Sequence, residues 1–145
     1  MSTPHLQFAQ KAVIVNDDRV LLLRKSCNDP NYPGWWDLPG GRMKDSEGLD
    51  AHLRREVLEE TGLEVSVGSL IHLWDWFMDW HGESVRVLAV SRYCELEGTA
   101  ADGPQHEVDD YLCEQRWIPR SDLLSLEIIP SQVATIERVV KQQEG

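Results

Sequence analysis

The chain has 145 residues, about the size of one compact domain, and it can bury a core without disulfides or a structural metal. Its 25 acidic residues outnumber its 14 basic ones, and the net charge of −11 disfavours binding to a nucleic acid polymer. No apolar run approaches the length of a membrane span, and the first residues lack a targeting pattern. We therefore expect a single domain over residues 1–145 that binds neither nucleic acid nor membrane.

The cysteines indicate the redox compartment. Cys27, Cys94 and Cys113 are odd in number and far apart, without the close spacing of a zinc site or a redox pair. Disulfides are rare in reducing compartments, so this pattern is typical of an intracellular protein. We expect a cytoplasmic location.

The first third of the chain predicts a β-hairpin followed by a structured loop. Two apolar runs, residues 12–15 and 20–23, flank a turn-forming segment at 16–19. Turn-forming residues continue over 26–34, and Gly40 and Gly41 follow a little later, where the backbone can adopt conformations closed to other residues. This loop leads into the next predicted element.

A helical pattern comes next. Four apolar residues recur at three- and four-residue steps: Leu49, Leu53, Val57 and Leu58. This periodicity predicts a helix from Ser46 or Glu47 to Thr61, with Gly62 as its C-terminal cap.

The rest of the chain predicts a second hairpin, a short strand and two helical segments. Residues 65–80 and 84–95 contain the β-branched and aromatic residues that suit a pleated surface, and the turn lies at 79–83. An acidic loop at 97–110 precedes a strand at 111–118 and helical segments at 121–126 and 131–141. This order predicts an α/β (α+β) fold in which helices pack on the faces of a mixed β-sheet.

The predicted long helix concentrates acidic side chains. Glu56, Glu59 and Glu60 stand at i, i+3 and i+4, so their carboxylates project from one face within about 5–6 Å of one another. For three glutamates alone, a solvated acidic face is the commoner explanation. A metal site is favoured by two neighbours: the glycine turn before the helix, and Arg55, which can pair with Glu59. Mg²⁺ binds through carboxylates and substrate phosphates.

The stretch from Gly41 to Leu63 resembles the Nudix box at every fixed position. After Gly41 come five residues, Glu47, seven residues and then the run Arg55-Glu56-Val57-Leu58-Glu59-Glu60-Thr61-Gly62-Leu63. The segments on either side resemble a Nudix domain over most of the chain. The resemblance implies a Nudix hydrolase with an α/β/α sandwich and a mixed β-sheet.

The same resemblance implies roles for individual residues. Glu56, Glu59 and Glu60 look like catalytic metal ligands, and the main-chain carbonyl of Gly40 looks like a further ligand. The implied cofactor is Mg²⁺ or Mn²⁺. Glu47 and Arg55 look like supporting residues that orient the ligands, as outer groups of metal sites commonly do.

A general base must deprotonate the attacking water, and Nudix enzymes draw it from the box or from a later loop. The later candidates in this sequence are four acidic residues: Glu107, Asp109, Asp110 and Glu114. We favour Glu107 as a catalytic residue because it lies in the loop ahead of the strand predicted at 111–118. A solvated loop acid is the alternative.

Substrate contacts are predicted from aromatic and basic residues. Trp74, Trp76 and Trp80 share the parity of one strand face, and a nucleobase stacks well on such rings. A packed core or a dimer contact explains the same pattern. Arg24, near the end of the second strand, is placed to reach a phosphate beside the glycine turn. His52 lies within the box, where we expect a surface role.

The predicted function is Mg²⁺-dependent hydrolysis of the diphosphate linkage in a nucleoside diphosphate derivative. A nucleoside triphosphate, ADP-ribose or another nucleotide sugar, and a dinucleoside polyphosphate all fit. The alternatives are a non-catalytic Nudix domain that senses a nucleotide and an isomerase acting on a prenyl diphosphate, and the intact box argues against both. The sequence leaves open the substrate, the number of metal ions and whether the chain forms a homodimer.

Overall fold

The structure is a computed structural model that describes residues 6–44, 46–98 and 112–142. Its strands are β1 (Leu6–Asn16), β2 (Arg19–Lys25), β3 (Trp36–Asp37), β4 (Gly40–Arg42), β5 (Val65–Trp80), β6 (Glu83–Leu96) and β7 (Leu112–Pro119). The helices are α1 (Leu49–Thr61), a 3₁₀ helix (Arg120–Ser125) and α2 (Pro130–Gln142). Glu107, the predicted general base, lies outside the described residues.

The described strands form one mixed sheet with β1 near its centre. The order β3-β2-β1-β6-β5 is completed by β4, which pairs with β1, and β7, which pairs with β2. The pairing of β1 with β6 is parallel, and β1 is antiparallel to β2 and β4. The predicted mixed sheet is confirmed, and β1 is longer than expected because it continues through the polar residues Gln10 and Lys11.

Alternate residues of β1 bury against different helices. Ala12 and Ile14 belong to an apolar cluster with two residues of α1, Leu53 and Val57. Val13 belongs to a second cluster, which includes Ile136 and Val139 of α2. Because successive side chains of a strand point to opposite faces, α1 and α2 cover opposite faces of the sheet. The predicted α/β/α sandwich is confirmed.

Both predicted hairpins are present. Asp17 and Asp18 connect β1 to β2 with φ angles of 50° and 61°, the left-handed pair that a two-residue turn of this kind requires. The second hairpin joins β5 to β6, which pair antiparallel from Val65 to Trp80. Among the residues that the structure describes, no helix is long and apolar enough to cross a membrane.

One helical prediction needs correction. Helix α1 begins at Leu49 rather than at Ser46 or Glu47, because Gly48 is extended (φ −67°, ψ 163°) and its carbonyl accepts the first helical hydrogen bond, from His52. Its C-cap is Gly62 as predicted, in the left-handed conformation at φ 76°. The segment predicted as helical at 121–126 is a 3₁₀ helix (Arg120–Ser125).

Candidate active site

The glycine turn lies against the centre of the sheet. In the pairing of β4 with β1, Gly40 is opposite Lys11 and Gly41 is opposite Gln10. A Cβ atom at Gly40 would lie 2.0 Å from the carbonyl oxygen of Gln10, and the φ of 135° also excludes ordinary side chains. Only glycine allows the backbone to approach β1 this closely.

Glu60 is bound to this turn. The main-chain N–H of Gly40 donates a 2.7 Å hydrogen bond to its Oε1 atom. Burial raises the pKa of Glu60, and the negative charges of Glu56 and Asp37 add to the effect. The cation of Lys11 and the Gly40 N–H act in the opposite direction, and the net result is a pKa of about 7.

Glu56 contacts the turn from the same helix. Glu56 is only 9% exposed. A Cβ atom at Gly41 would lie 3.1 Å from its Oε2 atom, so the absence of a side chain there leaves room for the carboxylate. The Oε1 atom is faced by a guanidinium nitrogen of Arg55 at 3.5 Å and by Nε2 of His52 at 3.9 Å.

Arg55 joins two other glutamates of the box. Its Nε atom donates to both carboxylate oxygens of Glu47, at 3.2 Å and 3.1 Å, and its NH1 group donates to those of Glu59, at 3.0 Å and 3.1 Å. These hydrogen bonds raise the pKa of Arg55 and lower that of Glu47. The pairing of Arg55 with Glu59 is therefore present as expected, and it turns the exposed Glu59 towards the guanidinium.

The expected surface role of His52 is wrong. The residue has no exposed surface, and its Nδ1 atom lies 2.9 Å from the amide nitrogen of Gln10, which is also fully buried. Burial lowers the pKa of His52, and this effect outweighs the opposite influences of Glu56, Glu47 and the Arg42 backbone. Hydrophobic periodicity could not predict this contact, because Gln10 and His52 are 42 positions apart in the chain.

A second group that the sequence analysis missed surrounds Asp37. Its Oδ2 atom lies 3.3 Å from the ammonium of Lys11 and 3.8 Å from that of Lys25. Burial by itself would lower the pKa of Lys11, but the hydrogen bond to Asp37 and the charges of Asp37, Glu60 and Glu56 together raise it. The one sign of this charged group in the sequence is Lys11, which interrupts an apolar strand.

The predicted metal ligands divide into two orientations. Glu56 and Glu60 are turned to the glycine backbone, whereas Glu59 is turned to Arg55. Within the described ranges, no three His, Cys, Asp or Glu side chains are close enough together to hold a metal ion. The residues nevertheless fit a hard divalent cation, because the buried carboxylate of Glu56 and the half-buried carboxylate of Glu60 supply oxygen donors beside the glycine backbone.

The predicted substrate residues lie in three different environments. Trp74 packs against Ala9 and Val87, whereas Trp76 is 38% exposed. The Nε atom of Arg24 donates to the carbonyl of Gly34 at 2.9 Å, and its guanidinium lies 5.5 Å from the Trp36 ring. Their roles in substrate binding stay predictions.

A cavity of about 470 Å³ adjoins β4. Its lining is aromatic, apolar and cationic: Leu6, Gln7, Phe8, Arg42, Met43, Lys44 and Trp80. The guanidinium of Arg42 lies 5.4 Å from the ring centre of Trp80, and its NH1 group donates to Oε1 of Gln7 at 3.1 Å. Of the three tryptophans that the strand parity singled out on β5, Trp80 is the one that lines this cavity.

A sequence profile described as NUDIX domain matches residues 5–139 of the chain. The chain belongs to the Nudix family. Among curated Nudix relatives, the CTP pyrophosphohydrolase of Escherichia coli is 31% identical over 84 residues, which are 49% of this chain and 62% of that protein. The uncharacterized Nudix hydrolase YvcI of Bacillus subtilis is 39% identical over 61 residues, 42% of this chain and 35% of that protein. These matches span less than two thirds of either relative.

Solved structures confirm the Nudix fold. The MutT protein from Methanosarcina mazei has a TM-score of 0.73 at 24% identity, and the comparison covers 100% of both chains. The MutT Nudix hydrolase from Burkholderia pseudomallei has a TM-score of 0.72 at 24% identity, covering 92% of this chain and 98% of that one. At this level of identity, the likeness establishes the fold.

Proposed function

We propose that this Nudix protein is a Mg²⁺- or Mn²⁺-dependent hydrolase that cleaves the diphosphate linkage of a nucleoside diphosphate derivative. The observation that carries the proposal is the pair of carboxylates held against the backbone of Gly40 and Gly41, with Glu56 buried and Glu60 half-buried. Burying two acids side by side is unfavourable unless a cation or a proton compensates them. A cation bound with a diphosphate provides that compensation.

The substrate class is supported by the cavity that Arg42, the residue after Gly41 in β4, helps to line. Trp80 and Phe8 offer rings on which a nucleobase stacks, and Arg42 and Lys44 offer cations for phosphate oxygens. Relatives carry names of the same class, including CTP pyrophosphohydrolase in E. coli and nucleoside triphosphatase in Salmonella agona. A nucleoside triphosphate or a small nucleoside diphosphate derivative is therefore the proposed substrate.

The described residues would act mainly by binding and orientation. Glu56, Glu59 and Glu60 would hold the cation, with the Gly40 carbonyl as a further ligand and Arg55 fixing the position of Glu59. Bound Mg²⁺ supplies neutralisation of phosphate charge and Lewis-acid polarisation of phosphorus. Arg42 would hold the outer phosphate oxygens and thereby align the linkage for attack.

The reaction itself is a displacement at phosphorus. A water oxygen forms a bond to one phosphorus atom, and the bond from that phosphorus to the bridging oxygen breaks. The bridging oxygen leaves with the other phosphate group, and the proton of the water passes to a carboxylate base. Glu107 is the proposed base.

The first experiment is a substrate panel measured with Mg²⁺ and with EDTA. Nucleoside triphosphates, ADP-ribose, nucleotide sugars and dinucleoside polyphosphates are incubated with the wild type, with Glu60→Gln and with Glu64→Gln, and the released products are identified. Glu64 is an exposed acid outside the turn contacts and serves as the matched control. We expect Mg²⁺-dependent cleavage that Glu60→Gln reduces at least about 100-fold and that Glu64→Gln leaves unchanged.

Two other outcomes would overturn the proposal. Nucleotide binding without turnover across the panel would identify a non-catalytic sensor. Cleavage that is equally fast in EDTA and in Glu60→Gln would place the chemistry elsewhere.

The location and assembly of the protein are also proposals. All three cysteines are free, and Cys94 is buried, which suits a reducing cytoplasm. Sedimentation of the purified chain would test whether the single domain proposed over residues 1–145 is a monomer or a homodimer.

A further inference from the structure

A buried polar network lies beneath the metal-binding face of α1. It connects Gln10 of β1 to His52 and Glu56 of α1, and neither Gln10 nor His52 has exposed surface. In this part of the fold the neighbouring helix residues, Leu53 and Val57, are apolar. Burying an imidazole and an amide among apolar side chains is costly, so their hydrogen bonds determine what the network does.

The carbonyl of Leu49 fixes the orientation of the Gln10 amide. The Nε2 atom of Gln10 lies 2.7 Å from that carbonyl oxygen, which can only accept a hydrogen bond. Nε2 is therefore the amide nitrogen, and its second hydrogen is directed to Nδ1 of His52 at 2.9 Å. Nδ1 then acts as an acceptor, and the neutral ring carries its proton on Nε2.

The protonated Nε2 atom faces the metal-binding carboxylate. It lies 3.9 Å from Oε1 of Glu56, and the main-chain carbonyl of Arg42 is a second acceptor near the ring. Among the described residues, this buried atom has no hydrogen-bond partner of ordinary geometry. The Oε1 atom also faces Arg55 at 3.5 Å. Both oxygens lie near the glycine turn, since a Cβ atom at Gly41 would be 3.1 Å from Oε2 and 3.5 Å from Oε1. Two N–H groups thus approach Oε1 from the helix, and Oε2 is the oxygen nearer to Gly41.

We infer that His52 is a positioning residue for Glu56, held by Gln10 in the Nε2–H form so that it orients the carboxylate towards a divalent cation at the turn. The inference rests on the proposed function, because it assigns Glu56 to the cation. A carboxylate with one oxygen restrained and the other free favours metal binding, since less rotational freedom is lost when the cation arrives.

Two amide variants test the roles of the two ring nitrogens of His52 separately. In His52→Asn the short amide can keep an acceptor for Gln10, but it cannot reach Glu56. In His52→Gln the longer amide can place its nitrogen where Nε2 lies. We expect His52→Asn to weaken Mn²⁺ binding to the substrate-free protein about 10- to 100-fold, and His52→Gln to stay within about threefold of the wild type.

Mn²⁺ binding is measured by electron paramagnetic resonance of the free ion, with Glu56→Gln as the reference for loss of the site. Urea unfolding in EDTA checks that each variant is folded.

A second measurement uses the wild type alone. Long-range ¹H–¹⁵N spectra, with the His52 ring signals assigned through its backbone resonances, should show Nε2 protonated and Nδ1 unprotonated.

Each outcome bears on one or both of the two proposals. Equal Mn²⁺ affinity of His52→Asn and the wild type, or a ring protonated on Nδ1, overturns the role of His52 and leaves the proposed hydrolase intact. Failure of the wild type itself to bind Mn²⁺ removes the metal site and the role of His52 with it. If neither variant folds, the tautomer of the wild-type ring decides whether His52 can orient Glu56.

Discussion

The main-chain N–H of Gly40 donates a 2.7 Å hydrogen bond to Oε1 of Glu60, which lies 20 residues further along the chain. This bond joins the turn before α1 to the last turn of the helix. The adjacent Gly41 faces Glu56 through the space that a side chain would fill. The two glycines differ in what surrounds them: backbone atoms of β1 at Gly40, and a carboxylate at Gly41.

This difference predicts that alanine substitutions at the two glycines affect different properties, namely stability at Gly40 and catalysis at Gly41. Gly40→Ala should lower the free energy of unfolding by about 3 kcal/mol or more, since the new Cβ meets fixed backbone in a strained conformation. Gly41→Ala should cost less than about 1 kcal/mol of stability but reduce kcat about 10- to 100-fold, because the Glu56 carboxylate must move. Urea unfolding and steady-state kinetics measure the two effects.

Gly48→Ala is the control for both variants, because nothing lies within 4 Å of a Cβ atom at Gly48. A kcat of Gly41→Ala equal to that of Gly48→Ala would contradict the assigned contact with Glu56.

Arg55→Lys is predicted to reduce kcat about tenfold with little change in stability. Arg55 makes forked hydrogen bonds to Glu47 and Glu59 together, and an ammonium cannot reproduce that planar geometry. The stability effect stays small because the ion pair with Glu59 is exposed and screened by solvent. Arg54→Lys provides the control, since Arg54 lies on the same helix and its ion pair with Glu97, at 3.6 Å, is exposed. Equal kcat values of the two variants would show that the fork has no supporting role.

The stability of the metal-free protein should depend on the protonation of Glu60. Its pKa of about 7 in the folded chain exceeds the ordinary value of 4.5. The stabilisation linked to its proton is therefore complete below pH 4.5 and is lost as the pH rises through about 7. Glu60→Gln, which stays neutral, should gain stability over the wild type as the pH increases, by at most about 3 kcal/mol.

Urea unfolding in EDTA at about pH 5 and about pH 8 measures this difference. Glu64→Gln, with its exposed side chain, should show no such trend. A difference between Glu60→Gln and the wild type that does not change with pH would refute the assigned burial.

Trp80→Leu is predicted to raise KM about tenfold with a smaller change in kcat, because stacking of a base contributes to binding of the ground state and the transition state alike. Trp76→Leu is the comparison, since Trp76 is exposed on the same strand and does not line the cavity. Steady-state kinetics with the substrate found in the panel measures both. A larger rise of KM in Trp76→Leu would favour the sequence-based prediction, in which Trp76 contacts the substrate.

Local patterns predicted most of the fold. The apolar run of β1 and the turn at Asp17 and Asp18 could be predicted because a short strand and a tight turn depend on a few neighbouring residues. The prediction of the box helix was also correct in the type of helix and in its C-cap. Its buried face was not, since Leu49 and Leu58, which the periodicity placed on the apolar face, are 50% and 46% exposed.

The sequence by itself determined the family, the mixed sheet and the group of box glutamates, because these depend on residue types at short and regular spacings. Tertiary structure decided which side chains surround those glutamates. The pairing of β4 with β1 sets Gln10 opposite Gly41 and so brings His52 and Glu56 of α1 onto the buried face. That face of the helix is half polar, and its polar residues are stabilised by hydrogen bonds to residues far apart in the chain. A hydrophobic pattern cannot reveal such contacts, because it depends only on neighbouring residues.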